Sequence, residues 1–269
     1  MSIQNRVTVT CPKCGKPFQV IIFASINANH ADNVADQIMD GSFFHGKCPA
    51  CGFVANLAYD VFYHDEKHST MIWLIHKDGD YEKKVAEICA VEPPPQITTR
   101  LVRSVNELRE KVACLEANRD DRIIELVKLF TLRGAEIPEN IEQQVVAFYA
   151  FYREQNAEVI ELYTEKGRLP RSYTVVDNYK KLEKAFGDTL LREITEVYAV
   201  VDINWAMSFL TSHMDLLNEK TSIDEEENSI DEASSCTGNG EVLFCRKCGT
   251  KLLENAMFCH RCGADVLLK

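Results

Sequence analysis

No stretch of this chain is long and apolar enough to cross a bilayer. The apolar run Val145–Phe151 is about seven residues, whereas a spanning helix needs about 20. The opening residues Met1-Ser-Ile-Gln-Asn-Arg6 have no apolar core, so no secretory signal is expected, and neither end shows a lipidation pattern. Walker loop, dinucleotide glycine signature, Gly-x-Ser-x-Gly and kinase motifs are all absent, which removes the commonest nucleotide and acyl-transfer chemistries. Positive charge is also short. Lys and Arg number 30 against 41 Asp and Glu, for a net charge of −11. Such a chain is repelled as a whole by nucleic acid, whose binding rests on phosphate neutralisation. The expectation is a cytoplasmic protein with no membrane partner.

Cysteine, by contrast, is abundant. Eight of the 11 cysteines fall in four Cys-x-x-Cys-Gly knuckles, paired at the two ends of the chain: Cys11 and Cys14 with Cys48 and Cys51, then Cys245 and Cys248 with Cys259 and Cys262. Each pair of knuckles offers four thiolates, the ligand set of a tetrahedral structural Zn²⁺. Gly15, Gly52, Gly249 and Gly263 follow the second cysteines, where a positive φ is commonly needed. Pro12 and Pro49 pre-set the first two turns. In a reducing compartment these thiols are expected as ligands, not disulfides. A redox dithiol would stand alone at a strand-to-helix junction, and a catalytic zinc would keep an open position that a four-cysteine set closes. The reading is therefore two structural Zn²⁺ sites. Cys89 and Cys114 lie in helical-looking stretches and are expected to be small buried hydrophobes. Cys236 is expected to be exposed in a polar linker.

The chain predicts an α+β protein. Residues 1–78 are β-rich, with Arg6–Thr10, Phe18–Ser25, Phe53–Tyr63 and Thr70–Ile75 reading as strands and Asp32–Asp40 as a helix stopped by Gly41. Two knuckles then sit at the ends of two hairpins, with a helix between them. Glu92-Pro-Pro-Pro95 punctuates the chain. Beyond it Leu101, Val105, Leu108, Val112 and Leu115 keep heptad spacing, and Ile123–Phe130 forms a second apolar helix, predicting a helical hairpin packed on its own domain. A short dimer seam is the alternative. Residues 144–176 read as a hairpin around Gln155-Asn156-Ala157 with a third strand at Tyr173–Val176, although 141–153 also suits a helix. Asp177 is expected to cap a helix reaching about Arg192, and Tyr198–Leu216 to form a last helix containing Trp205. The four regions are thus 1–92, 96–217 (continuous with the first), an acidic flexible linker at 218–241 and a zinc ribbon at 242–269. Residues 219–235 hold one lysine against seven acidic residues, and 241–269 five basic against three acidic.

Two other clusters invite chemistry. His64 and His68, with Asp65 and Glu66, fall at a hairpin tip and are expected to be solvated turn residues. Asp120-Asp121-Arg122 offers a carboxylate pair for acid–base work or Mg²⁺, but helix N-capping is the plainer expectation. His260, beside Cys259, is not needed as a ligand.

The N-terminal residues resemble a known prokaryotic family. Cys11-Pro-x-Cys14, Ser25-Ile-Asn27, the helix to Gly41, Cys48-Pro-x-Cys51-Gly52 and Tyr63-His-Asp65 are similar to the CpXC domain, and the likeness continues through Asn106–Lys111 and Asp120–Glu125, more loosely to about residue 215. Residues 243–265 resemble the short zinc ribbons appended to many prokaryotic proteins, with Arg246 and His260 standing where proline is usual. The resemblance implies metal ligands and fold, and no activity. The expected function is a non-catalytic, zinc-binding interaction or regulatory module with protein partners. The alternatives are a nucleic-acid-associated factor that makes contact through the ribbon, and an enzyme with a site in the central α+β region near Asp120, Asp121, Arg122 or Trp205.

Overall fold

The computed structural model describes residues 2–30, 33–76, 80–135, 137, 145–193 and 196–213. The chain divides into two units, residues 1–220 and 221–269. The linker, the ribbon, Cys236 and the cysteines Cys245, Cys248, Cys259 and Cys262 lie outside the described residues.

The described part of the first unit is mixed α+β. Strands β1 (Ile3–Thr10) and β2 (Pro17–Asn27) form a long antiparallel hairpin whose turn is the first knuckle. Helix α1 (Val34–Asp40) follows and stops at Gly41, φ 86°. Strands β3 (His45–Lys47) and β4 (Val54–Asn56) make a small second hairpin whose turn is the second knuckle. Then β5 (Val61–Asp65) pairs parallel with β2 and antiparallel with β6 (Thr70–Leu74). Helix α2 (Tyr81–Cys89) crosses over to β7 (Thr98–Val102), parallel to β6. The resulting sheet has the order β1-β2-β5-β6-β7. Alternation in β5 and β6 buries Val61, Tyr63, Ile72 and Leu74 on one face, where α1 and helix α3 (Val105–Glu116) supply Ile38, Leu108 and Val112.

Helix α4 (Asp121–Gly134) completes the helical hairpin. Its buried face packs on a second sheet, β10-β9-β8, built from β8 (Val146–Tyr152), β9 (Ala157–Thr164) and β10 (Gly167–Thr174). Helices α5 (Val176–Arg192) and α6 (Ile203–Ser212) contribute Phe186, Leu190, Phe209 and Leu210 to that core. Helix α3 serves both cores: Leu108 and Val112 face the first, Ala113 and Cys114 the second. Helices α3 and α4 therefore bury their apolar faces within this chain, as the hairpin reading expects.

Four readings need correction. Leu101 does not start the heptad seam. It lies in β7, packed with Ile75 and Tyr198, and the helix begins at Val105 behind an N-cap at Ser104. The heptad spacing spans two elements, because a strand residue four positions before a helix keeps the same spacing. Asp177 does not cap α5 but lies in its first turn, because the helix starts one residue earlier, at Val176; residues 146–152, left open between strand and helix, are strand, paired throughout with β9. Tyr198 is not helical (φ 54°); α6 starts at Ile203, capped by the Asp202 carboxylate on the amides of Asn204 and Trp205. Cys89 is exposed on α2, whereas Cys114 is buried as expected.

Candidate metal centre

Each knuckle repeats one backbone pattern. The N–H of its first cysteine donates to a carbonyl five residues on, Cys11 to Lys16 (3.0 Å) and Cys48 to Phe53 (2.8 Å). The following glycine donates back to that cysteine's carbonyl, Gly15 to Cys11 and Gly52 to Cys48, both at 2.9 Å. Gly15 and Gly52 take φ of 69° and 72° with open space where a Cβ would lie. Backbone conformation, not crowding, is therefore what asks for glycine.

The two hairpins bring the knuckles face to face. Cys11 Sγ lies 3.6 Å from Cys51 Sγ, and Cys14 Sγ 3.8 Å from Cys48 Sγ. All four sulfurs are mutually within 4.8 Å. A disulfide would need about 2.05 Å. Tetrahedral Zn–S bonds of about 2.3 Å place their sulfurs about 3.8 Å apart, so the spacing fits one ion with little movement. Cys11 and Cys48 are buried, Cys51 is half-buried and Cys14 is exposed. Phe18 and Val20 are buried beside them, with Val7, Val9, Phe53 and Leu57 packed around.

Four thiols this close divide their protons unevenly. Burial raises the Cys11 pKa, but the amides of Cys14 and Lys13 outweigh it and bring the thiol to about 7. At Cys51 the Phe53 amide pulls down, yet burial and the thiols of Cys14, Cys11 and Cys48 push it up to about 12. Four thiolates would coexist here only with a cation among them, and loading a metal would release protons.

The other sequence candidates settle elsewhere. Asp120 caps α4, accepting from the Arg122 amide at 2.9 Å, and its carboxylate also holds the Arg122 guanidinium. Asp121, half-buried, lies between Arg100, which donates twice at 2.8 Å, and Lys111 at 2.9 Å. Burial alone would raise its pKa, but Lys111 and Arg100 hold it far below the usual carboxylate range. The two carboxylates thus serve different partners and make no joint site. Trp205 stacks on Phe209, ring centroids 5.2 Å apart, as part of the core.

A buried charge network escaped sequence reading. Lys128 on α4 lies 3.0 Å from Glu110 of α3 and 3.0 Å from Glu125 of its own helix. Lys111 reaches Glu125 at 3.5 Å and the Val201 carbonyl at 2.7 Å. Glu110 also accepts the Tyr149 amide at 2.7 Å. Burial and the neighbouring Glu125 raise the Glu110 pKa against the pull of Lys128. These four side chains border a cavity of about 610 Å³ whose far wall includes Val145, Phe148 and Tyr163. The signal available in sequence was the phase: Lys111 falls three residues after Leu108, on the inward stripe of its helix.

Residues 9–128 match the family model described as CpXC protein, and residues 244–266 match the zinc-ribbon domain. No curated protein and no solved structure matches the chain. Among the described residues no helix is long and apolar enough to cross a membrane. Paired knuckles on two hairpins, a helix between them and a four-sulfur cluster thus coincide with a CpXC domain at residues 9–128, followed in this chain by a zinc-ribbon domain at 244–266.

Proposed function

We propose that Cys11, Cys14, Cys48 and Cys51 hold one structural Zn²⁺, that Cys245, Cys248, Cys259 and Cys262 hold a second, and that the protein is a non-catalytic interaction or regulatory module. The observation that carries this reading is the closed four-sulfur set, with S–S separations of 3.6 and 3.8 Å and no vacant ligand position for a substrate. The ribbon at 242–269 meets a protein partner, and the acidic residues of 218–241 tether it at high effective concentration. Capture of partners by intact protein and by a version ending at residue 241 tests this. Partners should be lost on truncation. Partners retained in full, or a salt-sensitive nucleic acid in their place, would overturn it.

One observation favours catalysis in the central α+β region instead: Glu110, with its raised pKa, borders the 610 Å³ cavity beside Lys128. A buried carboxyl whose pKa is raised is the kind of group that serves as a general acid. Yet Glu110, Glu125, Lys111 and Lys128 all bind one another, as a structural network does. Fragment screening by NMR on wild type and Glu110→Gln decides between the two. A catalytic cavity should bind small molecules in wild type and change its selectivity in the variant, whereas a structural one gives no bound fragments.

A further inference from the structure

Asp65, His68 and Glu116 meet where the β5–β6 turn touches the end of α3. Asp65 closes β5 on its inward face, after Val61 and Tyr63, and is 2% exposed. Ser69, at φ 47°, folds the turn back and brings the His68 ring onto it. The Asp65 carboxylate accepts the His68 amide at 3.1 Å, the Tyr63 hydroxyl at 3.2 Å and His68 Nδ1–H at 2.7 Å. Glu116 is the last residue of α3. One carboxylate oxygen from each acid and one ring nitrogen of His68 lie mutually within 4.8 Å. The expectation of solvated turn residues fails here: the turn is as expected, but its acid and its histidine point inward. His64 takes no part and stacks on Phe62.

Two features of this cluster are unfinished. The His68 side chain is 10% exposed, yet its Nε2 has no hydrogen-bond partner. The carboxylates of Asp65 and Glu116 face one another across a few ångströms, and the guanidinium answering Glu116 belongs to Arg153, whose side chain is 47% exposed and also reaches Asp36. A divalent cation resolves both. It neutralises the paired acids, and if it takes the Nδ1 lone pair the ring proton moves to Nε2. The ring borders a cavity of about 240 Å³, with room for a water to accept that proton.

We propose that Asp65, His68 and Glu116 form a divalent-metal site, distinct in chemistry from the knuckles. Two carboxylates and one imidazole suit Zn²⁺, Mn²⁺ or Fe²⁺ and leave coordination positions open, unlike four thiolates. The site stands independently of the knuckle reading, because it shares no residue with it.

Cobalt titration of the full chain tests the proposal. A brief chelator wash removes weakly held metal and leaves thiolate-bound zinc. Co²⁺ should then bind with a stoichiometry of about one, giving weak d–d absorption without sulfur charge transfer. His68→Ala should abolish that binding, and Glu116→Gln, a milder change near the surface, should weaken it at least tenfold while zinc content stays constant. Failure of Co²⁺ to bind, binding unchanged in both variants, or entry only with the intense sulfur band would each overturn the site.

Discussion

Among the described residues, Cys11, Phe18, Val20 and Cys48 form the buried cluster around the knuckles, so half of it is cysteine. Around α4 the buried cluster numbers nineteen residues, drawn from α3, both outer strands' neighbour β9, β8, α5 and α6. The first region is too thin to hold two hairpins in register by burial alone. It needs a cross-link, and the paired sulfurs are where one fits. The second region has apolar packing to spare and carries Glu110, Lys111, Glu125 and Lys128 inside it. On the proposed reading, one place uses charge, through a metal, to make a fold; the other tolerates charge because the fold is already made.

Removing a ligand should separate the two regions most sharply. Cys48→Ser should eliminate amide protection in β3, β4 and the knuckle ends of β1 and β2, while α4 and β9 stay protected in hydrogen exchange. Structural zinc contributes an apparent ~10–16 kcal/mol in small peptides, far above what this small cluster supplies. Equal loss of protection in α4 would show that the regions are one cooperative block.

Next in size is Lys128→Met. It leaves Glu110 and Glu125 buried together without their shared cation, and breaking a buried pair in this way costs about 3–5 kcal/mol. Chemical denaturation measures it. Adding Glu110→Leu and Glu125→Leu to it should recover much of the loss, as the apolar packing around them implies.

Asp121→Asn should change the shape of the pH profile. The Asp121 pKa is depressed in the folded state from an ordinary 3.8. Its contribution is therefore fully present above that value and is lost as pH falls through the folded pKa. The variant should be less stable at pH 7 and show a flatter acid limb below about pH 4, read from thermal midpoints across pH. The smallest effect belongs to Ser104→Ala. Ser104 Oγ accepts the Glu107 amide at 3.2 Å, and losing such a cap costs about 1 kcal/mol.

The legible parts of this chain were those fixed by local chemistry. The knuckles, the stop at Gly41, the Asp120 cap and the hairpin at Asn156 (φ 47°) follow from residues within a few positions of one another. What sequence missed depended on distant partners. β7 owes its existence to pairing with β6, across the whole of α2. Lys128 finds Glu110 18 residues away, and His68 meets Glu116 from another element. Polar side chains near a turn or on a helix look solvated until the elements that cover them are known, as Asp65 and Lys128, both buried, show.

Zinc counted per chain, in full-length protein purified anaerobically, tests the central claim most directly when wild type and Cys48→Ser are compared. The variant should carry one zinc fewer. An unchanged zinc content, or a wild type whose Cys11, Cys14, Cys48 and Cys51 are found as disulfides, would contradict it.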